Sequence, residues 1–567
     1  MLSILPIWAY IFLTVFITGY AFLLVFEGRN LPGKIGSGSY HVEDICMAGI
    51  MAVTVYAQIF SLFAGVGLVA NIVLVTFCIV LSVFLFRKKE NRCLFNVKRF
   101  IDKNYFLIFV LCAVLVMAYG SSRGYFHYDS DLYHGQAIHW IEDYGVVKGL
   151  GNLHGRLGYN SSSFALSALY SFAFLGGLSY HTCAGFMALL TLVSCGRIAR
   201  VFKDKKVKVS DLVRAAGIWY ICNIYDEMVS PASDYFTMLA FIYIVIRFLD
   251  GAEKKEDADF YGIYALMAFF GLTLKLSVGP LVILTFVPLA MLITQKRYSK
   301  IAVCGAAVLV IILPFLTRNM IISGRLFYPS TALDVFNVDW KIPEEAARSD
   351  SAYIIAFGRG YSSMDAASLP FSEWFSNWYF ALDKIWKMLF YGGVMGSIFW
   401  IIDRLKEFGK KNKKEEDYVT DFTVFAVIVS SAFWLMSSPL VRYGQGYLLV
   451  LPAITWGRAF LPLFDRIGNE KIRKIINGAM AAFIGLFIIY KAAMTGMYIK
   501  DTRYMGYYLR PQDYGRYETH LVSIGNLSVY APDSGDRTGY YDFPSVPSDQ
   551  YLPQLYDPDD MTKGFKP

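Results

Sequence analysis

The sequence predicts an all-α polytopic membrane protein of about fourteen transmembrane helices, and three observations carry that prediction. Of its 567 residues, 56% are hydrophobic and only 17% are charged, with a mean hydropathy of +0.43. A soluble chain of this length carries more charge. Uncharged apolar runs recur along nearly the whole chain, and basic residues gather in the short segments between them. The net charge of +8 is therefore read as anchoring beside a bilayer and not as a nucleic-acid surface.

Crossing roughly 30 Å of hydrocarbon takes about 20 apolar residues, fewer where a helix ends in a protein-lined cavity. The first run, 4–26, lacks a basic leader and an Ala-x-Ala cleavage site, so it is read as a retained helix. Residues 45–86 are long enough for two helices with a break near Gly65-Val66-Gly67, and 105–122 follows. Six more spans are expected at 179–196, 212–228, 235–249, 260–274, 276–294 and 301–317. The last four are 388–402, 422–440, 447–456 with its flanks, and 475–490. The eight cysteines are scattered, Cys93 in a basic loop and the others mostly in apolar runs, with no CxxC or Cys/His ligand spacing. Neither a disulfide frame nor a zinc site is expected.

Residues 161–175 decide the topology. As a helix they reach only about 22 Å. If they span, the loop with Arg197, Arg200, Lys203, Lys205, Lys206 and Lys208 lies outside and every later loop inverts. If they lie along the outer interface, all the basic loops fall on one side, which the positive-inside bias favours. They are accordingly expected to form a juxtamembrane helix. The outward segments are then 123–160, the turn 226–234, the Lys275 turn, 318–383, the turn 439–446 and the tail 491–567. The Lys/Glu-rich stretch 410–417 is expected to be a solvated cytoplasmic linker.

Unusual polar residues all fall on that outward face. Tyr128-Asp129-Ser130-Asp131-Leu132-Tyr133-His134 directly follows an apolar run, and acids at the rim of hydrocarbon are costly unless hydrated, paired, bound to metal or used in chemistry. Asp226, Glu227 and Asp234 bracket the Ser230-Pro231 turn, Lys275 and Arg318-Asn319 end helices, and Arg442-Tyr443 follows a Ser-Pro turn. Such a set suits an enzyme that handles a phosphate leaving group and an acceptor hydroxyl. A carboxylate takes the hydroxyl proton, and Lys and Arg hold the phosphate. Asp129 and Asp131 are the expected catalytic acids, and together they could hold a divalent cation, Mg or Mn. His134, Arg156, Asn160, Glu227 and Asp234 are the candidate acceptor-binding residues, and Lys275, Arg318 and Arg442 the donor-phosphate holders. The glycine-spaced stretch 149–162 could approach a phosphate or sugar closely, though it lacks a P-loop ending. Trp340, Trp374, Trp378 and Tyr379 could form an aromatic lid. Blander roles compete at each position, including helix capping, snorkelling and interfacial anchoring. His134, His139 and His154 match no metal-ligand spacing. Asn160-Ser161-Ser162 and Asn526-Leu527-Ser528 match a glycosylation sequon, a frequent chance match.

On Asp129-Ser130-Asp131, the 161–175 helix and the Arg442-Tyr443 turn, the chain resembles the GT-C class of membrane glycosyltransferases. Tyr128–His134, 149–162 and 339–343 resemble more closely a bacterial branch linked to surface-polysaccharide synthesis. The resemblance covers most of 105–446. It implies a core at 105–490 with outer loops 123–178 and 318–385, and an extracytoplasmic tail or cap at 491–567. The chain departs from the class in one respect, since its acid loop usually follows the first helix and here three helices precede 105–122, so 1–104 is read as an N-terminal transmembrane addition. The resemblance further implies transfer of a sugar from a polyprenyl-phosphate donor to a glycan or lipid-linked acceptor, with inversion, at the outer face of a bacterial cell membrane. A lipid-linked sugar flippase and a polysaccharide polymerase or ligase remain as alternatives.

Overall fold

In the computed structural model, the break expected at Gly65–Gly67 falls between the helices Val42–Ser61 and Leu68–Arg87. The structure describes residues 1–35, 39–87, 104–407, 415–465, 467, 469–500 and 506–567. Most of the basic loop 87–103, with Cys93, and residues 410–414 of the expected linker lie outside the described residues. Among the described residues, eleven helices are long and apolar enough to cross a membrane, so the chain is a multi-pass membrane protein that meets the lipid bilayer. Three further helices, Asn104–Gly120, Val209–Asn223 and Ala258–Leu274, occupy the other expected spans. At 15–17 residues they reach about 22–26 Å, less than the hydrocarbon thickness.

Close backbone approach holds the first helices together. A Cβ on Gly19 would meet Ile45 O at 1.9 Å, and one on Gly49 would meet Val15 O at 1.8 Å. Only glycine allows Ile4–Glu27 and Val42–Ser61 to pack this tightly, the small-residue contact expected where lipid supplies no hydrophobic drive between helices. Ser233–Lys254 is buried along its length and forms the centre of the bundle. Its first turn, carrying Asp234, is thereby fixed in place.

Residues 161–175 are short, as read from the sequence, but only their last four residues approach the surface, Leu175 being exposed, while 161–171 are buried. They form the two-turn helix Ser162–Leu169, every residue of which is buried. Ser161 Oγ donates to Leu274 O at 2.7 Å, and the Ser162 and Thr273 hydroxyls are 2.9 Å apart. Small hydroxyl residues let this helix sit inside the protein, with Ser161, Ser162 and Ser163 bonded and Ser167 Oγ left without a partner among the described residues.

At the end of the bundle away from Asp129, buried charges pair in a network. Asp250 receives Arg214 at 2.6 Å and Arg247 at 2.8 Å, all three almost fully buried. Arg247 also pairs with Asp44 at 2.8 Å, and Arg200 with Asp211 and Glu253.

The all-α expectation needs one amendment, because the tail is folded and contains strands. Thr519–Ile524 pairs antiparallel with Leu527–Pro532, and Gln554–Leu555 with Phe565–Lys566. The tail docks on the segment after Asn104–Gly120. Gln136 Nε2 donates to Gly539 O and Asp542 O, each at 3.0 Å, and the His139 ring stacks on Phe543 with centroids 3.8 Å apart. Phe565 N donates to Lys148 O at 2.9 Å. In the long segment after Tyr298–Ser323, Trp374 and Trp378 are buried, Trp378 Nε1 donating to Pro439 O at 2.7 Å. Trp340 Nε1 donates to Met320 O at 3.1 Å. Trp374 and Trp378 are packing residues and offer no open face for a lid.

Candidate active site

Five sequence candidates, Asp129, Arg156, Asp234, Lys275 and Arg442, meet at one end of the bundle. Gly124 makes the meeting possible. Its φ is +137°, and a Cβ there would strike Asp226 O at 1.9 Å. The chain then lies against the 226–230 turn, with Tyr125 N donating to Asp226 O at 2.6 Å and His127 N to Ser230 Oγ at 2.7 Å. That places His127 and Asp129 beside Asp234, in the first turn of Ser233–Lys254, and Arg442, in the first turn of Val441–Asp465.

Arg442 is the hub. Its Nη2 donates to Asp129 Oδ2 at 2.8 Å, its Nη1 to His127 Nδ1 at 2.9 Å, and its Nε lies 3.3 Å from Asp234 Oδ2. Asp234 also pairs with Lys275, the single extended residue between the Ala258–Leu274 helix and the turns that follow. The Lys275 Nζ sits 3.5 Å from the centre of the Tyr443 ring, a cation–π contact. Arg156 Nη1 approaches Asp129 Oδ1 at 4.0 Å. An acid suits a helix N-terminus, as at Asp234, but a cation there opposes the helix dipole. Arg442 is therefore placed against helix stability and is held by the acids around it.

The carboxylate of Asp129 is about one-fifth exposed. Burial works to raise its pKa, and the Arg442 guanidinium together with His134 and His127 more than offsets this, holding the carboxyl below its usual value. His127 is pushed down by burial and then by Arg442, so its Nδ1 is an acceptor, taking the Asp129 backbone N–H at 3.1 Å as well as Arg442. Arg442, Lys275 and Arg156 face two carboxylates, Asp129 and Asp234. Among these directly paired groups one positive charge is in excess, and Glu227 and Asp536 act on Arg442 and Arg156 only through space; the partly open cations suit one anionic group.

Several expected members lie elsewhere. Asp129 immediately precedes the helical turn Ser130–His134 with helical backbone of its own, and residues two apart on such a turn point to nearly opposite sides. Asp131 consequently faces the tail, where Oδ1 accepts from Gly515 N at 3.0 Å and Oδ2 from Tyr517 OH at 2.9 Å. Burial raises its carboxyl, with Tyr517 and Gly515 offsetting part of the shift. Asp131 is a clasp for the tail and not a partner of Asp129. The pair does not fit a Mg or Mn site either, because Asp129 is ringed by cationic donors and both Asp131 oxygens are used. Among the described residues, the one cluster of three or more candidate ligands is Glu27, Asp257 and Asp259, at the other end of the bundle.

Arg318 is buried and away from Lys275 and Arg442. Its Nε donates to Asn160 Oδ1 at 3.0 Å and its Nη1 to Ser61 Oγ, while Asn160 Nδ2 donates to Asn319 Oδ1 at 2.7 Å. Ser61 ends the Val42–Ser61 helix, whose C-terminal dipole offers Arg318 negative potential in place of an acid. Arg318 and Asn160 brace the helix ends behind the site. Glu227 accepts from Tyr235 OH and feels Arg442 and Asp234 only through space. His134 is buried against Phe164 and lies 3.2 Å from Ser130 Oγ. The glycines of 149–162 approach protein rather than ligand. A Cβ on Gly149 would meet Phe565 O at 2.0 Å, and one on Gly158 the Tyr328 ring at 2.8 Å.

Sequence reasoning missed His127, Tyr443 as a ring for Lys275, and the tail residues Asp536 and Arg537. Tyr128 OH donates to Asp536, and Arg537 lies over the Tyr128 and Tyr517 rings at 4.4 and 4.8 Å. A basic residue set among the tail's tyrosines was the available signal.

Two histidines make the segment acid-sensitive. Burial lowers His134 and His154 to about 3, so each is neutral in the fold while the unfolded chain binds a proton near pH 6.5. Their contribution to stability is complete above that value and is lost as pH falls toward 3, at about 1.4 kcal/mol per pH unit each. Thermal unfolding in detergent between pH 7.5 and 5 is expected to show a falling midpoint, with a shallower fall in His134→Gln. Equal slopes in the two proteins would contradict this.

No curated protein and no solved structure matches the chain. A family model matches residues 1–449, which include the N-terminal helices and every hub residue from His127 to Arg442, with the tail beyond it. The chain belongs to the family described as "Domain of unknown function (DUF8201)".

Proposed function

We propose that the protein is a membrane glycosyltransferase of GT-C type, moving a sugar from a polyprenyl-phosphate donor to a glycan or lipid-linked acceptor. The observation that carries the reading is the Asp129–Arg442–Asp234–Lys275 chain with Arg156 at its rim, partly open and one positive charge in excess. In the reaction the acceptor oxygen bonds to the anomeric carbon as the bond from that carbon to the phosphate oxygen breaks. Asp129 Oδ2 is held by Arg442, so Oδ1 receives the hydroxyl proton. A low carboxyl pKa suffices, because an oxocarbenium-like transition state makes the attacking hydroxyl acidic as its bond forms. The departing phosphate passes to Arg156 and Lys275, with Arg442 holding both acids in place. Fourteen spans, a bacterial cell membrane and an outward-facing site belong to the same reading, supported by the basic loops at the opposite end. Charge at the helix ends and not mid-span favours chemistry over transport.

The test is a transfer assay on purified protein in nanodiscs, with a panel of polyprenyl-phosphate sugars and membrane-derived acceptors. Donor loss in step with a new glycosidic product is expected. Movement of lipid-linked sugar across vesicles without a glycosidic bond would replace the reading with a flippase, and long polymeric products with a polymerase.

A further inference from the structure

A groove of about 470 Å³ runs along the side of the bundle, far from the hub. Leu5, Trp8 and Phe12 of Ile4–Glu27 form one wall, and Phe106, Val110 and Val114 of Asn104–Gly120 the other. Spacings of three and four residues put each set on one helix face, so the groove runs lengthwise along the helices. Its floor is Cys183–Gly196, where the lining residues from Phe186 to Arg197 span about 16 Å.

One end closes on a charge. Arg197 Nε lies 2.6 Å from Glu43 Oε1 and Nη2 3.1 Å from Oε2, while the guanidinium covers the Phe106 ring at 5.1 Å. Two of the three guanidinium nitrogens serve Glu43, and the side chain is about one-fifth exposed. The loop from Arg197 to Lys208 holds six cations against one acid of its own, Asp204; Arg200 and Lys208 pair with Asp211 and Glu253 beyond it, while Lys203 and Lys205 are exposed beside the groove's charged end. Gly120, which leads to Asp129, lies about 21 Å from Phe106 along their shared helix.

An apolar groove facing hydrocarbon offers water no partners, and an empty one forfeits the dispersion contacts of its walls. A hydrocarbon chain fills it. Which lipid supplies the chain follows from the end charge, because clustered Lys and Arg beside a bilayer select an anionic headgroup. We propose that the groove is a binding site for an anionic diacyl phospholipid, with one acyl chain between the two walls and its phosphate at Arg197. This is not a donor site, since a donor's phosphate must reach the Asp129 end, and the proposal stands independently of the transfer reaction.

Native mass spectrometry of the detergent-purified chain, with added phosphatidylglycerol or phosphatidylcholine, tests it. Ala9→Trp and Val110→Trp fill the groove from opposite walls, and Ala9 is exposed, so a tryptophan there disturbs no core packing. Wild type is expected to keep one phosphatidylglycerol after the other adducts are stripped. Retention should fall about tenfold in both tryptophan variants, and Arg197→Gln should lose the preference over phosphatidylcholine. Undiminished retention in both folded tryptophan variants, or equal retention of the two lipids by wild type, would overturn the proposal.

Discussion

Asp129→Asn is expected to lower transfer by about 10²–10⁴-fold while the protein stays folded in the membrane. Asparagine keeps the size of the side chain and an oxygen for Arg442 Nη2 to reach. It removes the ability to take a proton at Oδ1, and with it the negative charge that faces Arg442. Arg442 retains Asp234, so the hub is weakened but not dismantled. The measurement is the initial rate with saturating donor beside the unfolding midpoint of the same preparation. Loss of rate out of proportion to a small fall in the midpoint is the expected pattern, and full activity would remove Asp129 from the chemistry. The same change at Asp131 is expected to act mainly on stability, through the bonds to Gly515 and Tyr517.

Asp250→Asn is expected to produce the largest loss of stability, about 3–5 kcal/mol. Asp250 lies between Arg214 and Arg247, all three almost fully buried. Neutralising it leaves two guanidiniums with one fewer counter-charge in a region that water does not reach. Removing one cation as well, in Asp250→Asn with Arg214→Met, should recover part of the loss, because the cost comes from uncompensated charge and not from the missing bonds alone. Unfolding of the detergent-solubilised protein measures both. A loss below about 1 kcal/mol, the scale of an exposed pair, would mean that water enters the network.

The two networks show what a single sequence reveals and what it hides. Spans were legible because hydrocarbon demands long uncharged runs. Asp234, Lys275 and Arg442 were legible for the same reason, as charges standing at the ends of such runs. Direction was not legible. Asp129 and Asp131 look like a pair in the sequence, but the helical turn at Ser130–His134 sends one to the hub and the other to the tail. Arg318 has the same signature as Lys275, yet its partners Ser61 and Asn160 come from segments more than 150 residues away. The same blindness applies to the tail, whose contacts cross nearly 400 residues and follow no periodicity. The helix Ser162–Leu169 looked like a surface helix because a short apolar run is equally at home at an interface or inside a protein. Only its serines, bonded to Leu274 O and Thr273, point to the interior.

The central claim is that the excess positive charge at the Arg442 hub holds a phosphate. A cryo-electron microscopy structure of the protein in nanodiscs with added polyprenyl phosphate tests this most directly. The account expects the phosphate within hydrogen-bonding reach of Arg156 and Lys275, with Asp129 Oδ1 facing the same space. A phosphate bound elsewhere on the chain, with the hub closed on itself as Arg442 now holds it, would contradict the account.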